Sequence, residues 1–142
     1  MISGDRNQLR QVFFEAWRKH LTGEETEPLE KMVVSVIVEH PEYHQMLSDS
    51  ERFLSREFHA DDGQNNPFLH MAMHISLLEQ ISTDRPAGIS EFYQHLCQRM
   101  GEAHEAEHQL MECLGRMLWE AQSTNRMPDE QAYLECIRAL LN

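Results

Sequence analysis

The sequence predicts an all-α fold, an antiparallel helical bundle of five to six helices that forms a single domain over residues 1–142. Apolar residues recur at helical spacing over most of the chain, and no segment alternates as a strand would. Hydrophobic residues make up 41% of the 142 residues, enough for one core without disulfide bonds. Capping residues, glycines and prolines then divide the chain into elements.

Two amphipathic helices are predicted at the N-terminal end. The first, GDRNQLRQVFFEAWRKHLTG, has Asp5 as a candidate N-cap and Gly23 as its stop. The second, TEPLEKMVVSVIVEH, has Pro28 near its first turn, where proline is tolerated. Pro41 then forces a break or a kink. The stripe formed by Val33, Val36 and Ile37 is nevertheless expected to continue with His40 and His44.

The middle of the chain is predicted to contain short helices and a loop. The segments PEYHQML and SDSERFLSREFHA are short helical candidates, and DDGQNNP is a loop. Asn66 followed by Pro67 is a strong helix start, because asparagine caps and proline fits the first turn. The helix PFLHMAMHISLLEQIS follows and ends at TDRPAG.

The C-terminal part is predicted to contain two helices. Ser90 caps the first, which runs to about Gln122, with Gly101 or Gly115 as positions for a bend. Asp129 starts the second, EQAYLECIRALL.

Composition excludes several classes of function. Twelve basic and 24 acidic residues give a net charge of −12, so nucleic acid and anionic membranes are not expected partners. No apolar run is long enough to span a membrane, and the polar N-terminus is unlike a secretory signal. Three cysteines, Cys97, Cys113 and Cys136, form an odd set with no close pairing, which indicates a reducing compartment. A cytoplasmic protein is therefore expected.

Histidine spacing is the main functional signal. The chain holds nine histidines, for which random placement predicts about 0.5 pairs separated by four positions. Three such pairs occur: His40 with His44, His70 with His74, and His104 with His108. On a helix, residues four apart project from one face, so both imidazoles can reach one ion.

The pairs predict a buried divalent transition-metal site, with zinc, iron or nickel as candidates. Imidazole suits these ions, whereas Mg²⁺ and Ca²⁺ prefer oxygen ligands. Glu112, one turn past His108, is a candidate carboxylate ligand. An isolated buried histidine is usually only hydrogen-bonded in a core, but six unpaired imidazoles would be costly to bury. Methionines and cysteines could add soft ligands for copper, although methionine at helical spacing is typical of core packing.

Two of the pairs can be aligned from the sequence. Helices 66–82 and 90–122 are joined by a short loop and should run antiparallel, which leaves a mismatch of about 9 Å between the pairs at 70/74 and 104/108. The position of the pair at 40/44 cannot be computed, because Pro41 disrupts the register.

HEAEH, residues 104–108, also matches the pattern of zinc peptidases. In that interpretation Glu105 is the base, and Glu130 or Glu135 supplies a third ligand. Such enzymes bind a peptide along a sheet edge, and no strands are predicted. Glu105 with His108 forms one E-x-x-H, as in ferritin-like di-iron proteins, but a second copy is missing. The proportion of histidine to carboxylate ligands is closer to that of hemerythrin-type or nickel- and zinc-binding bundles.

A metal-free interaction module is the competing hypothesis. Trp119, Tyr133 and Leu134 with the C-terminal helix would then pack on a partner or on a second copy in a homodimer. A metal-binding protein would store, sense or deliver metal or reversibly bind a small molecule such as O₂. An enzyme would use a metal-bound water or an open iron position.

Two sequence blocks resemble an uncharacterised bacterial family, a domain of unknown function of about this length. The blocks are NPFLHMAMHISLLEQISTDRPAGI and HEAEHQLMECLGRMLWEAQ. The matching positions are Asn66, Pro67, His70, His74, Asp84, Arg85, Pro86, Gly88, His104, Glu107, His108, Glu112 and Trp119. The resemblance implies no reaction, and a variable position for Glu105 weakens the peptidase interpretation.

The TDRP loop has two interpretations. In the first, Arg85 binds an anion or a partner. In the second, Asp84 pairs with Arg85 to fix an interhelical turn. The turn is favoured.

Overall fold

The computed structural model describes residues 2–53 and 66–141, and the regular structure in these residues is entirely helical. The elements are α1 Ile2–Thr22, α2 Pro28–Val38, a 3₁₀ turn Pro41–Tyr43, α3 His44–Leu47, α4 Ser50–Phe53, α5 Pro67–Thr83, α6 Ile89–Met100, α7 Ala103–Thr124 and α8 Glu130–Leu140. The all-α prediction is confirmed. The rest of SDSERFLSREFHA and the loop DDGQNN lie outside the described residues.

The chain divides into two compact units, Met1–Ala72 and Met73–Asn142, and the boundary lies inside α5. We call these unit 1 and unit 2. The assignment of residues 1–142 to one domain stays a prediction. Within residues 2–53 and 66–141, no helix is long and apolar enough to cross a bilayer.

The described helices outnumber the predicted five to six for two local reasons. Two helices, α3 and α4, have only four residues each. The long helix predicted from Ser90 to Gln122 is divided at Gly101, whereas Gly115 lies inside α7 without a break. Gly101 ends α6 in the left-handed conformation, with φ 78°, which glycine adopts at little steric cost. The turn at Gly101 therefore lets α7 begin in a new direction at Ala103.

Most predicted helix boundaries are confirmed. The Asn66 side chain accepts hydrogen bonds from the N–H groups of Phe68 (3.0 Å) and Leu69 (3.3 Å), so it caps α5. Asp129 caps α8 by accepting from Ala132 N–H at 3.1 Å. Gly23 follows α1 directly with φ 77°. Asp5 as N-cap was wrong, because α1 already begins at Ile2.

Unit 1 is built on α1 and α2. Its core contains Trp17 from α1 and Val33 and Ile37 from α2. Phe68, at the start of α5, meets the edge of Phe13 with ring centroids 6.0 Å apart. These contacts bury the apolar stripes that the sequence predicts for the first two helices.

Unit 2 is built on the C-terminal part of α5 with α6, α7 and α8. Leu77, Ile89, Leu110 and Ile137 are fully buried in its core. Tyr133 is 1% exposed, and its hydroxyl donates to Gln80 Oε1 at 2.6 Å. Because the Tyr133 side chain is covered, it cannot serve the docking surface that the interaction hypothesis assigned to it.

The cysteines differ from the sequence expectation. Cys113 of α7 and Cys136 of α8, which are 23 positions apart in the sequence, form a disulfide with Cα atoms 5.8 Å apart. Cys97 is a free thiol. The expectation of no close pairing was wrong, because the α7–α8 hairpin brings together residues whose separation along the chain indicates no contact.

Candidate metal centre

The first two turns of α7 place three donor side chains on one face. His104, Glu107 and His108 are separated by three and four positions, so they project from the same side of the helix. The neighbouring Ala106 and Leu110 are fully buried, which sets this face at the edge of the unit 2 core. The turn at Gly101 determines where α7 begins and therefore where this face points.

His74, from α5, meets this face of α7. Its side chain is buried, and its Nε2 lies 2.6 Å from Glu107 Oε1. The ring centroid of His74 lies 5.7 Å from that of His104 and 5.5 Å from that of His108. The rings of His104 and His108 are 4.1 Å apart between centroids. One donor atom each from His74, His104 and Glu107 lies within 4.8 Å of the others, so this cluster could hold a metal ion.

Tyr93, from α6, completes the surroundings of the carboxylate. Its hydroxyl donates to Glu107 Oε2 at 2.6 Å. The two oxygens of Glu107 therefore have different partners: Oε1 faces His74, and Oε2 is held by the phenol. Three helices thus fix the position and rotation of one carboxylate.

The pKa values of this network agree with its hydrogen bonds. Burial raises the pKa of Glu107, but the hydrogen bonds from His74 and Tyr93 outweigh it and bring the pKa below its usual value. Burial, together with the hydrogen bond to the Glu107 carboxylate, raises the pKa of Tyr93 well above that of a free phenol. Glu107 is therefore an ionised acceptor and Tyr93 a protonated donor. A metal ion bound here would be held by His74 and Glu107 in place of the hydrogen bond between them.

Unit 1 contains the other three predicted histidines. His40 Nδ1 donates to the carbonyl oxygen of Val36 at 2.8 Å, which leaves Nε2 as the atom with a lone pair. His40 Nε2 lies 3.1 Å from His70 Nε2. The Tyr43 ring stacks on His40 at 5.5 Å between centroids. The hydrogen bond to a backbone carbonyl is the usual way in which a protein orients a ligating imidazole.

His44 occupies a different environment. Its Nε2 donates to the carbonyl oxygen of Ile37 at 2.8 Å, and its ring packs on Trp17 at 4.5 Å between centroids. The 40/44 spacing does not lie on one helix, since α2 ends at Val38 and α3 begins at His44. The reason is Pro41, which starts the intervening 3₁₀ turn.

The glutamate side chains of α7 differ in whether they face solvent or the donor cluster. Glu112, the predicted ligand, is exposed, and so is Glu105, the predicted peptidase base. Glu107 makes the contact with His74 instead. Glu107 lies three positions after His104, a spacing that places it on the ligand face. The sequence contains no comparable signal for Tyr93, because it belongs to another helix.

Comparison with known proteins identifies a family but no activity. Searches of curated proteins and of solved structures found no match to this chain. A family model described as a domain of unknown function, DUF1841, matches residues 5–139. The match covers both described groups of histidines and nearly all of the sequence. The chain therefore belongs to the DUF1841 family.

Proposed function

We propose that this protein binds a divalent transition metal through His74, His104 and Glu107 in unit 2, with His108 as an additional ligand. The observation that carries the proposal is the set of donor atoms from two helices within 4.8 Å of one another. Imidazole and carboxylate donors favour zinc, iron or nickel over Mg²⁺ and Ca²⁺. The role would be storage, sensing or delivery of the metal, or reversible binding of a small molecule on it.

Supporting features lie around the donors. The ordered hydrogen bond from Tyr93 fixes a carboxylate ligand in the way that surrounding residues fix ligands in metalloproteins. The net charge of −12 raises the local concentration of cations at the protein surface. Both features favour metal binding over a cluster that serves only to fill the core.

His40 and His70 are proposed as two further ligands, described within unit 1 alone. Their Nε2 atoms lie 3.1 Å apart. Two nitrogen ligands about 2.1 Å from one ion are separated by roughly 3.0–3.4 Å, depending on the coordination geometry. His44 is left out of the proposal, because its Nε2 is engaged with the backbone.

Binding is favoured over hydrolysis through HEAEH. The peptidase mechanism requires its glutamate to activate a water molecule on the metal. Glu105 is exposed on α7, whereas Glu107 contacts His74. The residue after the first histidine is thus not the residue in the donor cluster.

Matched glutamate variants test the proposed function. Glu107→Gln removes a charged donor, and Glu105→Gln makes the same chemical change two positions away on the exposed side of α7. We expect freshly purified wild-type protein and E105Q to hold near-stoichiometric metal by elemental analysis. E107Q should bind the same metal at least roughly tenfold more weakly in equilibrium dialysis.

A histidine pair provides a second control. His104→Ala should lose metal, and His95→Ala, at an exposed position of α6, should retain it. Equal metal content in E107Q, H104A and both controls would exclude these donors.

A further inference from the structure

We propose that the metal centre of unit 2 is an open site that takes a small anionic ligand from solution, and that Tyr93 keeps it open by holding Glu107 as a single-oxygen ligand. This inference rests on the proposed function and adds the class of ligand and a positioning residue.

The carboxylate geometry is the first step of the argument. Glu107 Oε2 accepts from the Tyr93 hydroxyl at 2.6 Å, and Oε1 lies 2.6 Å from His74 Nε2. A carboxylate that binds an ion through both oxygens must turn both toward it, which would break the bond to Tyr93. A charge-assisted O–H···O bond of this length is among the stronger neutral-to-ion hydrogen bonds. Tyr93 therefore opposes bidentate binding.

The number of donors is the second step. In the described part of unit 2, the three imidazoles and one oxygen of Glu107 supply at most four donors, and an octahedral ion takes about six. An octahedral ion held by these donors alone would keep two positions for ligands from solution, and a bidentate Glu107 would reduce them to one. If only two of the histidines bind together with Glu107, the ligands are two imidazoles and one carboxylate. This is the ligand set of non-haem iron sites that keep open positions.

Access is the third step. The His74 side chain is 1% exposed, whereas that of Glu107 is 13% exposed. His104 and His108 are also only partly buried. The partly exposed Glu107 marks the side of the cluster nearest to solvent, and a ligand of a few atoms would enter from this side. A purely structural metal site would be closed on all sides.

The test uses the full chain loaded with Co²⁺, whose visible absorption reports coordination, and azide as the anionic probe. Azide should change the wild-type spectrum and saturate. Tyr93→Phe should retain Co²⁺ but bind azide roughly tenfold more weakly, since a freed Glu107 would take a second position. Tyr133→Phe is the matched control: it removes the hydrogen bond to Gln80, another buried tyrosine bond of unit 2, and should leave azide binding unchanged.

A measurement on the wild type makes the inference testable even if Y93F does not fold. Infrared difference spectra between apo and Co²⁺-loaded protein, compared with E107Q, isolate the carboxylate stretches of Glu107. Their splitting should indicate monodentate binding.

The outcomes separate the two proposals. If wild-type protein binds no Co²⁺, the proposed function fails. If it binds Co²⁺ but azide leaves the spectrum unchanged, the open site is refuted while metal binding stands. Bidentate stretches in the wild type, or unchanged azide affinity in a folded Y93F, would overturn the role of Tyr93.

Discussion

Three glutamates on α7 illustrate how side-chain direction sets chemical role. Glu105, Glu107 and Glu112 lie within eight positions of one another on a single helix. Because each residue is rotated by about 100° from the preceding one, Glu107 lies on one side of His104, and Glu105 and Glu112 lie on the other. The other two lie exposed to solvent, where a carboxylate needs no partner. The chemical identity of the residue is the same in all three cases, and the contact with His74 of α5 selects one.

Asp84 is a second residue whose role depends on its surroundings. It follows α5 with φ 52°, a conformation that aspartate and asparagine tolerate better than most residues. Its carboxylate accepts from the N–H groups of Ser90 (3.0 Å) and Gly88 (3.1 Å), which fixes the turn into α6. The turn favoured from TDRP is thus secured through backbone amides.

The stability of the protein should depend on Asp84 in acid. The hydrogen bonds from Ser90 and Gly88 lower the pKa of this carboxyl in the folded state. The stabilisation is therefore present above the unfolded pKa and is lost as the pH falls through the folded pKa. We expect Asp84→Asn to unfold at a lower urea concentration than wild type at pH 6, and the difference to shrink below about pH 4.

Urea midpoints measured between pH 2 and pH 7 check this expectation. Glu120→Gln, at an exposed position near the C-terminal end of α7, controls for the loss of a surface charge. A constant difference between wild type and D84N across the whole pH range would contradict the assigned role.

At the scale of elements, α7 connects the donor cluster to the C-terminal helix. Its first turns carry His104 and Glu107, and its middle carries Cys113, which is bonded to Cys136 of α8. Tyr133 and Ile137 of α8 are buried in the same core as Leu110 and Leu114 of α7. The hairpin of α7 and α8 is therefore held by both a covalent bond and apolar burial.

Reduction of this disulfide should destabilise the protein without separating the helices. For cysteines 23 positions apart, the loop-entropy model gives a loss of about 3 kcal/mol on reduction. The native protein should show one thiol that reacts with a thiol reagent, Cys97, and three after reduction and unfolding. Cys136→Ser should lower the melting temperature as dithiothreitol does, and dithiothreitol should then have no further effect.

Three reactive thiols in the unreduced, unfolded chain would show that the bond is absent from the protein. The disulfide also removes the cysteine-based argument for a reducing compartment, because such bonds are rare in cytosolic proteins. The cytoplasmic location stays a prediction, and so does the homodimer.

At the scale of the whole molecule, a bound metal should act on global stability. A ligand that binds only the folded state stabilises it by RT ln(1 + [L]/Kd), about 2.7 kcal/mol at a free concentration 100 times Kd. We expect the melting temperature to fall on chelation and to recover when zinc, nickel or iron is returned. H104A should show neither change, whereas H95A should behave like wild type in differential scanning calorimetry.

The sequence alone determined the helical class and most helix ends. Periodicity, the caps at Asn66 and Asp129 and the stop at Gly23 act within a few residues, so they can be read without coordinates. The same local rules placed His104 and His108 on one face of one helix. They also showed that Pro41 would disturb the histidines on either side of it.

Only the tertiary structure decided which side chains meet. The contact of His74 with Glu107, the bond from Tyr93 and the Cys113–Cys136 disulfide join residues on different helices. The rotation of one helix against another depends on the packing of whole faces and on turns such as the one at Gly101. The spacing of residues along the chain shows neither how helix faces pack nor how the turns are oriented. For this reason Glu112 was predicted as the carboxylate ligand, whereas Glu107 lies in the cluster.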